Sequence, residues 1–276
     1  MRILKRLILL FLFAFSLPIT GLGQANLYPE LVMQGIDAMH EDSLELAEKK
    51  FREALSLTPD NKSNYLLFRY LGQIREQQDK DSEALDFYTA ALNLSPRNTD
   101  VMLDRAALYY RMGNESRALL DYTDVLDLQP TCLEALLMRA HIYSGQHDYK
   151  NARRDYEIML KVDPLHENAY IGLILLNDRD GRPREAMEQI NGLIAVYPHH
   201  ALLYAIRGGM EQRRKQYEQA LSDLSRAIEM EPKNADFYVS RATLYLEMRK
   251  KKLARLDTQM AVRLGADPKE MASLLK

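Results

Sequence analysis

The feature that most constrains this chain is a proline that recurs at nearly constant intervals. Successive members of the series are separated by 37 residues once and then by 34 residues four times: Pro59, Pro96, Pro130, Pro164, Pro198 and Pro232. An alanine precedes each proline by twelve positions, and a seventh alanine continues the register: Ala47, Ala84, Ala118, Ala152, Ala186, Ala220 and Ala254. Such a period indicates a structural unit that cannot bury its apolar face alone and stacks on copies of itself.

Each unit contains two segments in which apolar residues have helical spacing. In one unit, Ala106 and Tyr109 share a face of the first segment, and Ala118, Tyr122 and Val125 share a face of the second. The polar, glycine-containing stretch MGNES separates the two segments and predicts a turn. The proline cannot continue the second helix, so it ends the unit. Each unit is therefore predicted to be a helix A, a turn and a helix B.

A 34-residue helix–turn–helix with a small residue at position 8, alanine at 20, an aromatic or aliphatic residue at 24 and proline at 32 resembles the tetratricopeptide repeat. The resemblance implies an all-α fold, a right-handed superhelical solenoid of about seven repeats with a short C-terminal capping helix. The implied repeats are 28–61, 65–98, 99–132, 133–166, 167–200, 201–234 and 235–268, followed by the capping helix at 269–276. Repeat two begins three residues late, and repeat five has Ile174 at the small position and Asn177 at position 11.

The first 23 residues have the layout of a secretory signal peptide. Arg2, Lys5 and Arg6 precede the apolar run LILLFLFAF, and small residues follow it. A membrane span needs about 20 apolar residues, so this run is too short for a comfortable one. We expect cleavage after Gly23 or Ala25, with an uncleaved anchor as the alternative. The expected location is the periplasm of a Gram-negative bacterium, or otherwise outside the cell.

The charge balance disfavours nucleic acid as a partner. Residues 1–23 contain three basic residues and no acidic one, so their removal takes the net charge from −2 to −5. A mildly acidic chain is poorly suited to phosphate backbones, which require clustered lysines and arginines. The single cysteine, Cys132, excludes an internal disulfide, and nothing in its surroundings marks it as a nucleophile.

A charge pair recurs within the register. Position 7 of helix A is arginine in four repeats, and in the same four repeats position 23 is aspartate: Arg105 with Asp121, Arg139 with Asp155, Arg207 with Asp223, and Arg241 with Asp257. The other three repeats keep neither member. Position 23 lies on the side of helix B that faces helix A. We predict structural ion pairs between the two helices, with a charged-ligand site as the alternative.

The resemblance also implies where a partner would bind. In stacked tetratricopeptide repeats, positions 5, 9 and 12 of helix A line the concave groove. The positions predicted to bind a partner are mostly apolar here: Leu103, Ala107, Tyr110, Leu137, His141, Ile171 and Leu175. The groove lysines and asparagines that grip a peptide carboxylate in some family members are absent, so an extended or helical segment with apolar anchors fits better. Packing between neighbouring A helices is the alternative role.

The sequence contains no catalytic constellation. His199 and His200 follow a proline in a predicted turn where adjacent side chains diverge, so a metal site there is the lesser alternative. No nucleotide-type glycine loop and no G-x-S-x-G motif occurs. The sequence predicts a non-catalytic protein–protein interaction scaffold with no cofactor or metal. The alternative is a chaperone-like or assembly factor of a bacterial envelope complex that receives client proteins.

Overall fold

A computed structural model describes residues 22–275. This part of the chain contains fifteen α-helices, one 3-10 helix (Lys62–Asn64) and no strand, which confirms the predicted all-α class. The helices are α1 (Leu22–His40), α2 (Leu44–Leu57), α3 (Tyr65–Gln77), α4 (Asp81–Leu94), α5 (Thr99–Arg111), α6 (Glu115–Leu128), α7 (Leu133–Gly145), α8 (Tyr149–Val162), α9 (Glu167–Arg179), α10 (Pro183–Val196), α11 (Ala201–Arg213), α12 (Tyr217–Met230), α13 (Ala235–Glu247), α14 (Lys251–Arg263) and α15 (Pro268–Leu274). The predicted signal peptide lies outside the described residues except for its last two positions, which belong to the start of α1.

Fourteen of the helices described between residues 22 and 275 correspond to the A and B helices of seven repeats, and α15 follows them. The described residues form two compact units, with the boundary between Ile142 and Tyr143. We call residues 22–142 unit 1 and residues 143–275 unit 2. None of the described helices is long and apolar enough to cross a membrane.

The recurring small residues bring helices A and B of a repeat close together. A Cβ atom added at Gly72 in α3 would lie 2.5 Å from Cε1 of Tyr88 in α4, and one at Gly35 would lie 2.4 Å from Phe51. The register alanines complete the contact, since all seven have no exposed surface: Ala47, Ala84, Ala118, Ala152, Ala186, Ala220 and Ala254. The sequence period therefore marks the core of each helix pair.

The turn between helices A and B also has one recurring backbone conformation. From repeat two onward, every thirty-fourth residue has a positive φ: Asp79, Gly113, His147, Gly181, Lys215 and Arg249. Glycine adopts this left-handed conformation without steric cost, whereas a side chain with Cβ is strained there. The turn is thus fixed by backbone geometry rather than by a conserved residue type within the chain.

Repeat two begins late because its extra residues form the 3-10 helix. The Asn64 side chain is completely buried and donates to the carbonyl of Thr58 at 2.7 Å, while the Tyr28 hydroxyl donates to Asn64 Oδ1 at 2.8 Å. Both hydrogen bonds tie the inserted turn to the preceding repeat. At the other end of the chain, α15 begins at Pro268 with Asp267 as its N-cap, and Met271 is its buried residue.

Candidate functional site

Three of the four sequence-predicted charge pairs lie entirely within one unit, and in each the two side chains meet. In unit 1, Arg105 Nε and Nη2 donate to the two carboxylate oxygens of Asp121, both at 2.8 Å. In unit 2, Arg207 makes the same two-pronged contact with Asp223 at 2.6 and 2.8 Å, and Arg241 with Asp257 at 2.8 and 2.9 Å. These parallel hydrogen bonds are the strong geometry for an arginine–carboxylate pair.

The aspartates of these pairs are nearly enclosed. The Asp121 side chain is 6% exposed, against 21% for Arg105. The hydrogen bond to Asp121 raises the pKa of Arg105, although burial opposes the shift. Because the Nε and Nη2 groups are both engaged by one carboxylate, little of the guanidinium remains for a ligand. This arrangement is what a structural role requires.

Each of the four arginines also contacts a side chain of the preceding repeat, a contact that the sequence pattern did not predict. The Nη1 group donates to a small polar side chain sixteen residues earlier, in helix B of the preceding repeat. The partners are Thr89 at 3.5 Å for Arg105, Thr123 at 3.4 Å for Arg139, Asn191 at 2.8 Å for Arg207 and Ser225 at 3.2 Å for Arg241. The arginine therefore links its repeat to the one before it. The sequence signal for this contact was a hydroxyl or amide side chain sixteen residues before each arginine.

The fourth pair, Arg139 with Asp155, has one member in each unit. Both residues are buried, at 8% and 1% exposed. Their pairing stays a prediction.

In unit 1, the predicted partner-binding residues lie on α5 and α7. Ala107 and His141 are exposed, while Leu103, Tyr110 and Leu137 are half-buried. The rings of Tyr110 and His141 meet edge to face with centroids 6.0 Å apart. We call these five residues the unit 1 flank. They form a surface that is mostly apolar and partly open to solvent.

A polar network occupies helix α3 at positions equivalent to this flank. Arg69 Nε donates to Asp104 at 2.6 Å and Gln73 Nε2 donates to the same carboxylate at 3.1 Å. Arg69 also lies 3.3 Å from Asp100. Burial alone would lower the pKa of Arg69, but the hydrogen bond to Asp104 and the negative charges of Asp104 and Asp100 together raise it. The apolar flank in repeats three and four therefore has a charged neighbour in repeat two.

In unit 2, the two predicted partner-binding residues lie on α9. Ile171 is buried at 9% exposure, in a cluster that contains Ile174 and Ile190, whereas Leu175 is half-buried. Ile171 thus contributes to the core rather than to an open surface. Asp178, further along the same helix, accepts from Arg213 at 2.5 Å and from Arg214 at 2.5 Å.

An open apolar pocket of about 440 Å³ lies elsewhere in unit 2, at the loops that join one repeat to the next. Its most exposed apolar wall residues are Leu165 (82%), Val196 (67%), Tyr197 (52%) and Tyr170 (40%). On its rim, His200 Nε2 lies 2.8 Å from a Glu167 oxygen. We call it the unit 2 pocket. It could receive an apolar side chain of a partner.

The exposure of Tyr170 distinguishes repeat five from its neighbours. Tyr204 and Tyr238 occupy the same position in repeats six and seven, and their hydroxyls donate to the carbonyls of Pro198 and Pro232, each at 3.1 Å. Tyr170 makes no such bond within residues 22–275. The sequence signal was Ile174, which replaces the small residue that draws the two helices together elsewhere.

The histidines, the cysteine and one half-buried carboxyl group are the remaining candidates for metal binding or catalysis in the described part of the chain. No three potential metal ligands converge between residues 22 and 275, and His199 is exposed. Cys132 is a free, half-buried thiol. Glu211 has the largest upward carboxyl shift: burial, and then the negative charge of Asp223, raises its pKa to about 7. Its neighbours are the Arg207–Asp223 pair, so the shift has a structural explanation.

Comparison with known proteins decides the family. The sequence is 30% identical to a tetratricopeptide repeat protein from Parabacteroides merdae, over 91% of this chain and 98% of that one, with a TM-score of 0.84. The chain belongs to the tetratricopeptide-repeat family. A family model described as tetratricopeptide repeat matches residues 137–201. Tetratricopeptide-repeat proteins bind protein partners and are generally non-enzymatic scaffolds.

More distant tetratricopeptide-repeat structures share the fold alone. A protein from Thermus thermophilus is 18% identical, over 64% of this chain and 97% of its own, with a TM-score of 0.56. Yeast Tom70 is 13% identical, over 96% of this chain and 66% of its own, with a TM-score of 0.57. No curated protein matches the sequence significantly.

Proposed function

We propose that this tetratricopeptide-repeat protein is an exported, non-catalytic scaffold that binds a segment of a partner protein at the unit 1 flank. The observation that carries the proposal is the exposure of that flank: Ala107 and His141 are open to solvent, beside three half-buried apolar side chains. A surface of this kind suits a helical or extended segment with apolar anchors. Export is supported by the arrangement of the N-terminal residues, with the periplasm as the proposed location.

The charged network beside the flank supports an orientation for the partner. The charges of Arg69 and Asp104 neutralise each other, and Asp100 adds a second carboxylate beside this pair. The Asp100 side chain is 66% exposed. A partner segment with its apolar anchors on the flank would meet this carboxylate at the start of repeat three, beside Arg69 of repeat two. A basic residue at the corresponding end of the segment would complement it.

The test is capture of the partner from an envelope fraction by the purified protein and by matched variants. Ala107→Arg and His141→Glu change exposed residues of the flank, so the fold should survive while the partner is lost. Leu120→Arg changes a residue of α6 that is 66% exposed and lies outside the flank, so capture should persist. Equal capture by all three variants would contradict the proposed site, and detection of the mature protein only in the cytoplasm would contradict export.

The unit 2 pocket favours a second candidate, a chaperone-like factor that receives client proteins. Leu165 and Val196 expose most of their surface, and such patches bind varied apolar sequences. The same capture experiment distinguishes the candidates. One stoichiometric partner supports the scaffold, whereas many unfolded proteins, lost in the Leu165→Ser/Val196→Ser variant, support the client-binding role.

A further inference from the structure

A concentration of positive charge lies where helix α14 begins. The basic cluster consists of five exposed side chains within seven residues: Arg249, Lys250, Lys251, Lys252 and Arg255. None of the five forms an ion pair within the described part of the chain. The cluster stands out because the whole chain has a net charge of −2.

Repeat six shows how such charges are neutralised elsewhere in unit 2. Arg213 and Arg214, just before its A–B turn, both contact Asp178 of the preceding repeat. Gln212 occupies the position equivalent to Asp178 one repeat later, and it donates to Glu247 at 2.7 Å. Glu247 is the residue of repeat seven equivalent to Arg213, so the contact between repeats six and seven uses an amide and a carboxylate. The five cations of repeat seven lie beyond this position and take no part in the contact.

The cluster is also placed where it opposes helix stability. Lys250 is the N-cap of α14 and forms no capping bond, and the first turn contains no acidic residue. Cations near a helix N-terminus interact unfavourably with the helix dipole. The equivalent helix of repeat six, α12, has Glu218 in its first turn. Residues that break a local stability rule without compensation are candidates for a functional role.

Apolar side chains accompany the cations on the solvent side of α14. Leu256 is 60% exposed and Leu253 is 40% exposed. Leu256 lies one turn after Lys252 and beside Arg255, while Ala254 and Asp257 face the interior. A helix that presents lysine and arginine together with leucine has the composition of an interfacial membrane-binding surface.

We propose that the outer face of α14 binds an anionic lipid bilayer. The five cations would contact lipid phosphates, and Leu256 would enter the boundary between headgroups and acyl chains. Charge complementarity favours an anionic bilayer, because a neutral bilayer has no groups that would pair with the cations. The exposed leucines favour a bilayer over a purely charged partner, which would leave them without contacts. The proposal does not rest on the partner-binding function of unit 1.

The absence of tryptophan from the chain permits a local test. Leu256→Trp places a single fluorophore within the proposed surface. Leu120→Trp is the matched control, since Leu120 is 66% exposed at the same repeat position but is preceded by Ser116 where repeat seven has Lys252. Vesicles containing 30% phosphatidylglycerol should shift the emission of Leu256→Trp to the blue and leave Leu120→Trp unchanged, and pure phosphatidylcholine should shift neither. Because the fluorophore responds only to its own surroundings, a blue shift at position 256 reports binding by α14 rather than by the apolar N-terminal run of the full chain.

Charge reversal identifies the groups that bind. In the Leu256→Trp background, Lys250→Glu/Lys252→Glu should lower vesicle affinity by 25-fold or more, because each cation removed lowers the affinity roughly fivefold. Lys161→Glu/Lys233→Glu makes the same charge change at exposed sites of unit 2 and should have little effect. No shift with anionic vesicles, or equal shifts at both tryptophan positions, would overturn the proposal. A shift with soluble polyglutamate but not with vesicles would overturn it in favour of an acidic macromolecule.

Discussion

The Arg105–Asp121 pair allows the sixteen-residue charge pattern to be tested as a stability device. We predict that Arg105→Ala lowers the free energy of unfolding of its helix pair by about 2–3 kcal/mol. Removal of one partner from a fully buried ion pair costs about 3–5 kcal/mol, because the remaining charge is stranded. The expected value is smaller because the Arg105 side chain is 21% exposed, so water reaches the vacated space beside Asp121.

A double-mutant cycle separates the pair from the packing of each side chain. Asp121→Ala should cost about 1–2 kcal/mol, since the stranded arginine reaches solvent, and the coupling energy between the two changes should be about 1–2 kcal/mol. Arg226 and Glu229 form the control pair, at 3.3 Å with side chains 51% and 66% exposed. Their coupling should be at most about 0.5 kcal/mol.

Native-state hydrogen exchange of amides in α5 and α6 is the appropriate assay, because long repeat arrays do not always unfold in one cooperative step. A coupling energy for Arg105 and Asp121 no larger than that of the control would refute the structural role. The same cycle on Arg139 and Asp155 is predicted to give a similar coupling, with the loss of protection greatest in repeat four and least at the ends of the array.

Three further outcomes are expected. Gly72→Ala should destabilise the protein by about 2 kcal/mol, because the added methyl group would overlap the Tyr88 ring. Gly192→Ala, whose methyl group would enter open space beside α10, should stabilise the protein by about 0.5–1 kcal/mol. Thermal unfolding of both variants measures the difference. Glu211→Gln should be more stable than the parent by about 1 kcal/mol at pH 8 and equal to it near pH 4. The raised pKa of about 7 gives the parent protein stability below pH 4.5 that is lost as pH rises through 7, and solvent reduces the size of the effect because Glu211 is only half-buried. Intact-mass measurement of the exported protein should give a value below 31.9 kDa, and the full mass would indicate an uncleaved anchor.

The sequence predicted the contacts that recur within a single repeat and missed the contacts that join neighbouring repeats. Ala118 and its register could be found because a small residue at a fixed period has one packing role. The contact of Arg105 with Thr89 was not found, since it joins two repeats and the earlier partner varies between hydroxyl and amide. The exposure of Tyr170 was not predicted either, although Ile174 at the small position indicated that the two helices of repeat five lie farther apart.

The arginine that joins neighbouring repeats also predicts which of repeats three to seven is weakest. Repeat five has Leu173 in its place, and its helices are joined instead by two hydrogen bonds from the Asn177 amide, to Gln189 at 3.0 Å and to the Glu185 carboxylate at 3.2 Å. These single hydrogen bonds from an uncharged donor contribute less than a two-pronged arginine–carboxylate pair, and Ile174 prevents the close approach that a small residue allows.

Because each repeat draws stability mainly from its neighbours, the loss of one link should appear as local opening. We therefore predict that amides of α9 and α10 exchange faster than those of α11 and α12, where the Arg207–Asp223 pair is present. Ile174→Ala combined with Leu173→Arg and Gln189→Asp would restore both features of the register, and should slow exchange in α9 and α10. Equal protection of the two helix pairs in the parent protein would show that the arginine link is not what sets the stability of a repeat.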